Sequence, residues 1–416
     1  MEKEKKVIGY KDVFSQKEYL KLILASLISR FGDSVDSLAF TWLVYQVTGS
    51  AAWSAIVFAV NQLPEIIVQP FAGALVEGMN KKRLMVAEYL IRGIIVAALA
   101  ILTLADMVTP VVLVVFTFLI TTVEAFGMPA GMAIVPILLP EEYYEYGTSL
   151  KSTLSSVVEL IGIALGGIII GIWGIYVAIL IDAVTFFGAA MILCFMKMKE
   201  EPLQKGKVDV TAYALNLKNG IAYVKNQPVI RNFCLMALLI NAVVVPFNSL
   251  QGPIVSELLG QDAELLSVLG IVMVLAMGLG SAVFPYLRKK VSVRAVMVTS
   301  GMSMGAGLYV LTLGSFCRDK VYLIYAVTTI SSLLLGMGAG ILSAALNVQF
   351  MKVVNKEYLA RAGAIFNAVS SAAVPVTSFL ISAVAVHFSV GEILVVCAIF
   401  CVIIFAYIGI RKVRFE

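Results

Sequence analysis

Gly73-Ala-Leu-Val-Glu-Gly-Met-Asn-Lys-Lys-Arg83 lies between two long apolar runs. The apolar residues stop at Val76, one acid follows at Glu77, Gly78–Asn80 supply a turn, and three cations close the stretch before the chain becomes apolar again. This pattern reads as a tight hairpin between two membrane-spanning helices. Cytoplasmic loops carry an excess of Lys and Arg, so Lys81, Lys82 and Arg83 mark the inner side of the membrane. Gly73 permits close approach of a neighbouring helix, and Glu77 suits a helix N-terminus or a cation. Gly73, Glu77, Lys81 and Lys82 are therefore expected to form a conformational latch between packed helices.

Composition points the same way. Of 416 residues, 60% are apolar and 14% charged, and the mean hydropathy is +0.96. A soluble domain has about half its residues apolar and about a quarter charged, so the chain is expected to be an all-α integral membrane protein. The charged opening Met-Glu-Lys-Glu-Lys-Lys has no short apolar core or small-residue cleavage site after it, and no secretory signal is expected. Five cysteines lie scattered, mostly in apolar runs and without metal spacing, as packing residues do.

Scanning for apolar runs of about 20 residues predicts twelve spans, near 20–46, 51–76, 83–105, 109–137, 147–171, 174–197, 229–257, 265–286, 293–315, 321–350, 358–387 and 390–410. With both termini inside, all but four of the 31 Lys and Arg fall in or beside cytoplasmic segments. Arg318 and Lys320 fall outside, and Arg30 and Arg92 lie within spans. The opposite orientation breaks the charge rule at nearly every loop. The longest loop, about 198–228, divides the chain into an N-terminal half (1–197) and a C-terminal half (229–416) of six helices each. Val210, Tyr213, Ala214, Leu217, Ile221 and Val224 follow a helical stripe, which predicts an amphipathic helix on the inner membrane surface. The halves also repeat weakly: GMPAGM from Gly127 answers GMGAGI from Gly336, and GSAVFPYLRKK from Gly280 answers the opening hairpin without its acid. Two repeated six-helix halves form the architecture of an alternating-access carrier, with substrate bound near mid-membrane.

A charge at the centre of a bilayer costs about 2.5–3.5 kcal/mol on insertion scales, so each one asks for a function or a partner. The deep acids are Asp33, Asp36, Glu65, Glu124, Glu159 and Asp182, all in the N-terminal half; the C-terminal half offers amides instead, among them Asn241, Asn347, Gln349 and Asn367. Arg30, Asp33 and Asp36 share a face of the first span. Arg30 and Asp33 are read either as an orienting pair or as part of the proton-coupling or substrate-binding site, and Asp36, with no local cation, as a proton or substrate contact. Glu124 and Glu159 are read either as proton carriers or counter-ions for a cationic substrate, or as ion pairs with Arg30 or Arg92. Glu65, after Asn61, Gln62 and Pro64, lines a cavity or makes a polar helix contact; Asp182 reads as a structural hydrogen-bonding group. Trp42 and Tyr45 suit an interfacial belt. The runs Gly336–Ala345 and Ala368–Pro375 suit close helix packing.

The hairpin's Gly73, Glu77, Lys81 and Lys82 match the loop signature between spans two and three of the major facilitator superfamily, which the chain resembles. The stretches Ser29–Ala51, Pro64 to Pro70 and Asn219–Arg231 resemble its drug:proton antiporter branch, which contains macrolide-efflux (Mef-type) and enterobactin-exporter-like proteins. The resemblance implies the fold, alternating access and export. It departs from the wider antiporter pattern in span four, where Glu124 is the sole charge rather than an Arg, and in span five, where Ile163 stands in place of a Pro.

The expected function is secondary active export of an amphipathic or lipophilic small molecule (a drug, a macrolide or a siderophore-like compound) by proton antiport. The alternative of the same fold is a lysophospholipid or other lipid flippase, or a nutrient symporter. A single histidine, with no Ser–His pair, metal cluster or phosphate loop, leaves no expectation of an enzyme, a cofactor or a bound metal. The expected partners are the substrate, protons and the bilayer, with no nucleic acid and a monomeric carrier. The expected location is a bacterial plasma (inner) membrane.

Overall fold

The computed structural model describes residues 10–68, 71–72, 76, 79–140, 143–198, 227–318, 320–353 and 359–410. After a short helical turn at Tyr10–Val13 come α1 (Lys17–Thr48), α2 (Ala51–Ile67), α3 (Lys81–Leu104), α4 (Pro110–Leu138), α5 (Tyr144–Trp173) and α6 (Ile175–Cys194). They are followed by α7 (Pro228–Ser249), α8 (Glu264–Lys290), α9 (Val293–Leu313), α10 (Val321–Val353), α11 (Leu359–Ala385) and α12 (Val390–Ile410). Among the described residues, nine helices are long and apolar enough to cross a membrane, and Ala51–Ile67 and Val369–Ala385 are shorter apolar helices. The 32-residue α1 has ample length; Arg30, Asp33 and Asp36 interrupt its apolar run. The protein is an all-α, multi-pass membrane protein with these twelve long helices among its described residues.

The helix ends follow local chemistry. Asn80, Thr109 and Ser292 cap α3, α4 and α9 by accepting from the amides of Arg83 (2.9 Å), Val112 (3.3 Å) and Ala295 (3.3 Å). Each satisfies a donor that the first turn leaves without an intrahelical partner. Gly174 alone separates α5 from α6; its φ of 85° is left-handed backbone that a side chain would strain. The seventh span differs from the single helix predicted. It breaks at Leu250 and ends in a π-helical turn, Ile254–Leu258, beyond Pro246, which lacks the amide a continuous helix needs.

The helices pack as two units. One holds the described residues up to Phe40 and those of Leu63–Val208; the other holds Thr41–Gln62 and the helices from α7 onward. In the first unit α3 packs on α4 and α6. In the second, α10 packs on α8 and α9, α9 on α12, and α7 on α11. The predicted small-residue run is at the α8–α10 contact, where a Cβ on Gly336 would stand 2.6 Å from the Ala276 Cβ and 2.7 Å from the Met273 carbonyl. Trp42 is buried, with its ring 6.4 Å from that of Tyr45. Tyr45 hydrogen-bonds Ser256 and Glu257 of the π turn. Gly252 leaves the room for this contact: a Cβ there would stand 3.0 Å from that of Tyr45.

In the first unit two lysines close the end of α6. Lys21 donates to the Phe195 carbonyl (3.0 Å) and Lys82 to that of Cys194 (2.9 Å), both favourable at the negative end of a helix. Glu18 completes the tie, accepting from Lys21 at 2.9 Å and from the Lys197 amide at 2.5 Å. Chiefly through the Lys21 hydrogen bond, with help from Lys197, its carboxyl is held below its ordinary value of 4.5. A depressed carboxyl contributes stability above its unfolded value and loses it as pH falls through the folded one. Glu18→Gln is therefore expected to cost about 0.2–1 kcal/mol at pH 7, as partly exposed pairs do. The difference in melting temperature from wild type should shrink as the pH is taken below 4.5; a difference constant with pH would refute the assignment.

Candidate functional site

The deep charges of the N-terminal unit converge on Arg92. Its side chain is 7% exposed and reaches three carboxylates on three helices. Nη2 stands 2.8 Å from Asp33 Oδ1 on α1 and 3.5 Å from Glu124 Oε2 on α4, and Nη1 stands 3.2 Å from Glu88 Oε1 one turn earlier on α3. The guanidinium also lies over the Phe186 ring of α6, 4.3 Å from its centroid, so the ring face meets the cation as well. A guanidinium presents five donors in a rigid planar fork, against three on an ammonium, and so can serve several carboxylates from one fixed geometry. Glu124 is the loosest partner, with the longest separation and a side chain 54% exposed, whereas Glu88 is 5% exposed.

Neighbouring helices deliver these groups because small residues let them approach. Gly32 of α1 faces Asp182 and Thr185 of α6, and a Cβ there would overlap both side chains. Gly127 of α4 lies against the Glu88 carboxyl, where a Cβ would come within 3.0 Å of its carbon. Gly162, in the Gly-rich stretch of α5, receives Ser34 of α1, whose Cβ would be 2.6 Å from a Gly162 Cβ.

A second pair lies in the same unit. Arg30 on α1 and Glu159 on α5 are 2.6 Å apart. The expected Arg30–Asp33 pair is thus corrected. Asp33 belongs to Arg92, with Ser29 donating to its other oxygen at 3.3 Å, and Arg30 belongs to Glu159. Residues three apart in a helix lean to the same side, but a guanidinium arm reaches across to whichever helix presents a carboxylate.

Asp36 stands apart from these pairs: its Oδ1 is buried without a hydrogen-bond partner among the described residues, within electrostatic reach of Asp33, Asp182 and Arg92. Asp182 is 2% exposed, with the Thr185 hydroxyl 3.4 Å from its Oδ1. Glu65 is exposed on α2 and within electrostatic reach of Glu124.

In the second unit, Asn241 donates to the Ala237 carbonyl at 3.0 Å and Asn347 to the Ser343 hydroxyl at 3.5 Å, each in its own helix. Of the expected latch, Lys82 holds the end of α6, while Gly73 and Glu77 lie outside the described residues, as does the stripe predicted in the linker. Glu88 and the central place of Arg92 are the findings that reading by single residues passed over. Their signal was present in the chain: an acid and an Arg four apart inside an otherwise apolar span.

The arrangement sets six carboxyl groups (Asp33, Asp36, Glu88, Glu124, Glu159 and Asp182) around two guanidiniums, Arg30 and Arg92. Chemically, such a cluster can hold protons, a cationic ligand, or each in turn.

Comparison with known proteins agrees with the fold. Residues 12–415 match the family described as transmembrane secretion effector. The multidrug efflux pump Tap of Mycolicibacterium fortuitum is 27% identical over 70% of this chain and 72% of its own length. Its Mycobacterium tuberculosis counterpart is also 27% identical, over 57% of its length. Macrolide efflux protein A of Streptococcus pyogenes is 22% identical over 84% of each chain. The crystal structure of the nucleoside transporter NupG superposes with a TM-score of 0.77 at 12% identity, over 95% of this chain and all of that one. The chain belongs to the transmembrane secretion effector family of the major facilitator superfamily.

Proposed function

We propose that this transporter exports an amphipathic or lipophilic drug-like molecule in exchange for protons, by alternating access, with the carboxyl cluster of the N-terminal unit as its coupling site. The observation that carries the proposal is the charge imbalance around Arg92 and Arg30, together with the buried Oδ1 of Asp36, which has no hydrogen-bond partner among the described residues. Carboxylates held in a low-dielectric interior without cations cost several kcal/mol each. Protons from one side of the membrane, or a cationic group of the substrate, are the counter-charges that remove this cost.

Glu124 is the group most easily exchanged. Arg92 already serves Asp33 and Glu88 at shorter range, so Glu124 leaves it with the least loss. In the proposed cycle Asp36 and Glu124 take up protons from the outer side and release them inward as substrate binds. The Arg30–Glu159 pair, which ties α1 to α5, opens and closes with the turnover. The substrate class rests on the relatives named as multidrug and macrolide efflux pumps. The proposal includes two six-helix halves joined by a cytoplasmic linker at 198–228, both termini inside, a bacterial plasma membrane, and Gly73, Glu77, Lys81 and Lys82 as the latch; the distribution of Lys and Arg supports the orientation.

The test is proton release from acidified inside-out vesicles containing the protein, on adding macrolides, cationic dyes, siderophores and lysolipids one at a time. A compound-specific proton efflux is expected, lost in Asp36→Asn while binding of the same compound persists. Transport that continues when the pH gradient is collapsed, or proton efflux unchanged in Asp36→Asn, overturns the coupling scheme.

A further inference from the structure

Glu88 is the least exposed of the three carboxylates on Arg92, at 5% against 27% for Asp33 and 54% for Glu124. It stands one turn before Arg92 on α3, so their contact needs no neighbouring helix. Its carboxyl rests against Gly127 of α4, where a Cβ would come within 3.0 Å of the carboxyl carbon and 3.2 Å of Oε1. The acid is thus held between its own arginine and the backbone of α4.

Charge alone gives the fold no need of it. Within 3.5 Å, one guanidinium faces three carboxylates. Asp33 by itself would balance Arg92, and a further buried acid is unfavourable unless it has a counter-charge of its own. What Glu88 supplies is geometry. Arg92 makes single hydrogen bonds, from Nη1 to Glu88 Oε1 at 3.2 Å and from Nη2 to Asp33 Oδ1 at 2.8 Å. Its Nε is buried without a partner among the described residues. A guanidinium holds a carboxylate most firmly through two parallel bonds. With Nη1 engaged by Glu88, Nη2 is the terminal nitrogen left for the carboxylates of α1 and α4, and neither Asp33 nor Glu124 takes both.

We propose that Glu88 is a positioning residue of the coupling site: by occupying Nη1 it keeps Arg92 from closing on Glu124 with both terminal nitrogens, and so keeps Glu124 exchangeable at some loss of stability. The proposal rests on the reading of Glu124 as an exchanging group. Without Glu88, the freed Nη1 turns to Glu124 or Asp33. A second charge-assisted bond deepens that pair by roughly tenfold to a hundredfold, and the step in which Glu124 leaves Arg92 slows. The same change removes an acid in excess of the cation, so the fold is relieved while the transporter is held back.

The experiment compares Glu88→Leu and Glu88→Gln with wild type. It reads the melting temperature of the purified full chain and the rate of efflux of erythromycin and of ethidium against their concentration. Both variants are expected to melt at or above the wild-type temperature, since each lacks the excess charge. Turnover should fall about tenfold or more in Glu88→Leu, with the half-saturating concentration nearly unchanged. The fall should be smaller in Glu88→Gln, whose amide oxygen still accepts from Nη1. A purely structural acid gives another pattern: both variants are weakened, and efflux follows the amount of folded protein. Melting below wild type in both variants, or equal turnover in the two, overturns the role of Glu88. Wild-type efflux that persists when the pH gradient is collapsed overturns the exchange reading instead; it is read without any variant, so the two failures are told apart.

Discussion

Arg92→Leu should abolish substrate efflux and destabilise the N-terminal unit by about 3–5 kcal/mol, the cost of leaving buried charges without their partner. The guanidinium it removes is shared by Asp33, Glu88 and Glu124 and seated on Phe186. Without it, two carboxylates that are largely withdrawn from solvent have no cation, and α1, α3 and α4 lose the group that gathers them. Arg92→Lys restores a charge but not a fork; it should recover part of the stability and little of the transport. Melting temperature of the purified protein and efflux from cells, read together, check the pattern. Wild-type stability in Arg92→Leu would show that the cluster is not organised by this residue.

The second large effect lies in the other unit, and two glycines of similar appearance separate it from a control. Gly340 on α10 faces the backbone of α8: a Cβ there would overlap the Met277 carbonyl oxygen and come within 2.8 Å of the carbonyl carbon. Backbone cannot step aside as a side chain can, and overpacking of this kind costs about 1–3 kcal/mol or more. Gly340→Val should therefore lower the yield of folded protein sharply and depress its melting temperature by several degrees. Gly278 on α8 has nothing within 4 Å of the same position. Gly278→Ala should be neutral or stabilising by up to about 1 kcal/mol, the helix-propensity gain over Gly. Equal effects at the two sites would refute the packing of α8 against α10.

Much of this was legible in the chain. The predicted spans agree with the observed helices to within a few residues except where the seventh span breaks at Leu250; the end of the second span lies in part outside the described residues. Turn residues, caps and charges punctuate each apolar run, and the bilayer requires a length that only a helix of about 20 residues provides. The concentration of deep acids in the N-terminal half was also plain, because a charge inside an apolar run is rare enough to stand out. The break in span seven was less so, since Pro246 marks only where a helix is weakened.

The sequence by itself determined that this chain crosses the membrane many times and which residues carry charge into it. Only the tertiary structure decided the partners. Arg30 reaches Glu159 on α5 rather than its neighbour Asp33, and Asp33 is taken by Arg92 from α3. Spacing along one helix states which residues share a face, whereas a pair between helices depends on rotation and on how closely small residues let the axes approach. Gly32 against Asp182 and Thr185, and Gly340 against Met277, set those approaches, and no local pattern distinguishes either from the open Gly278.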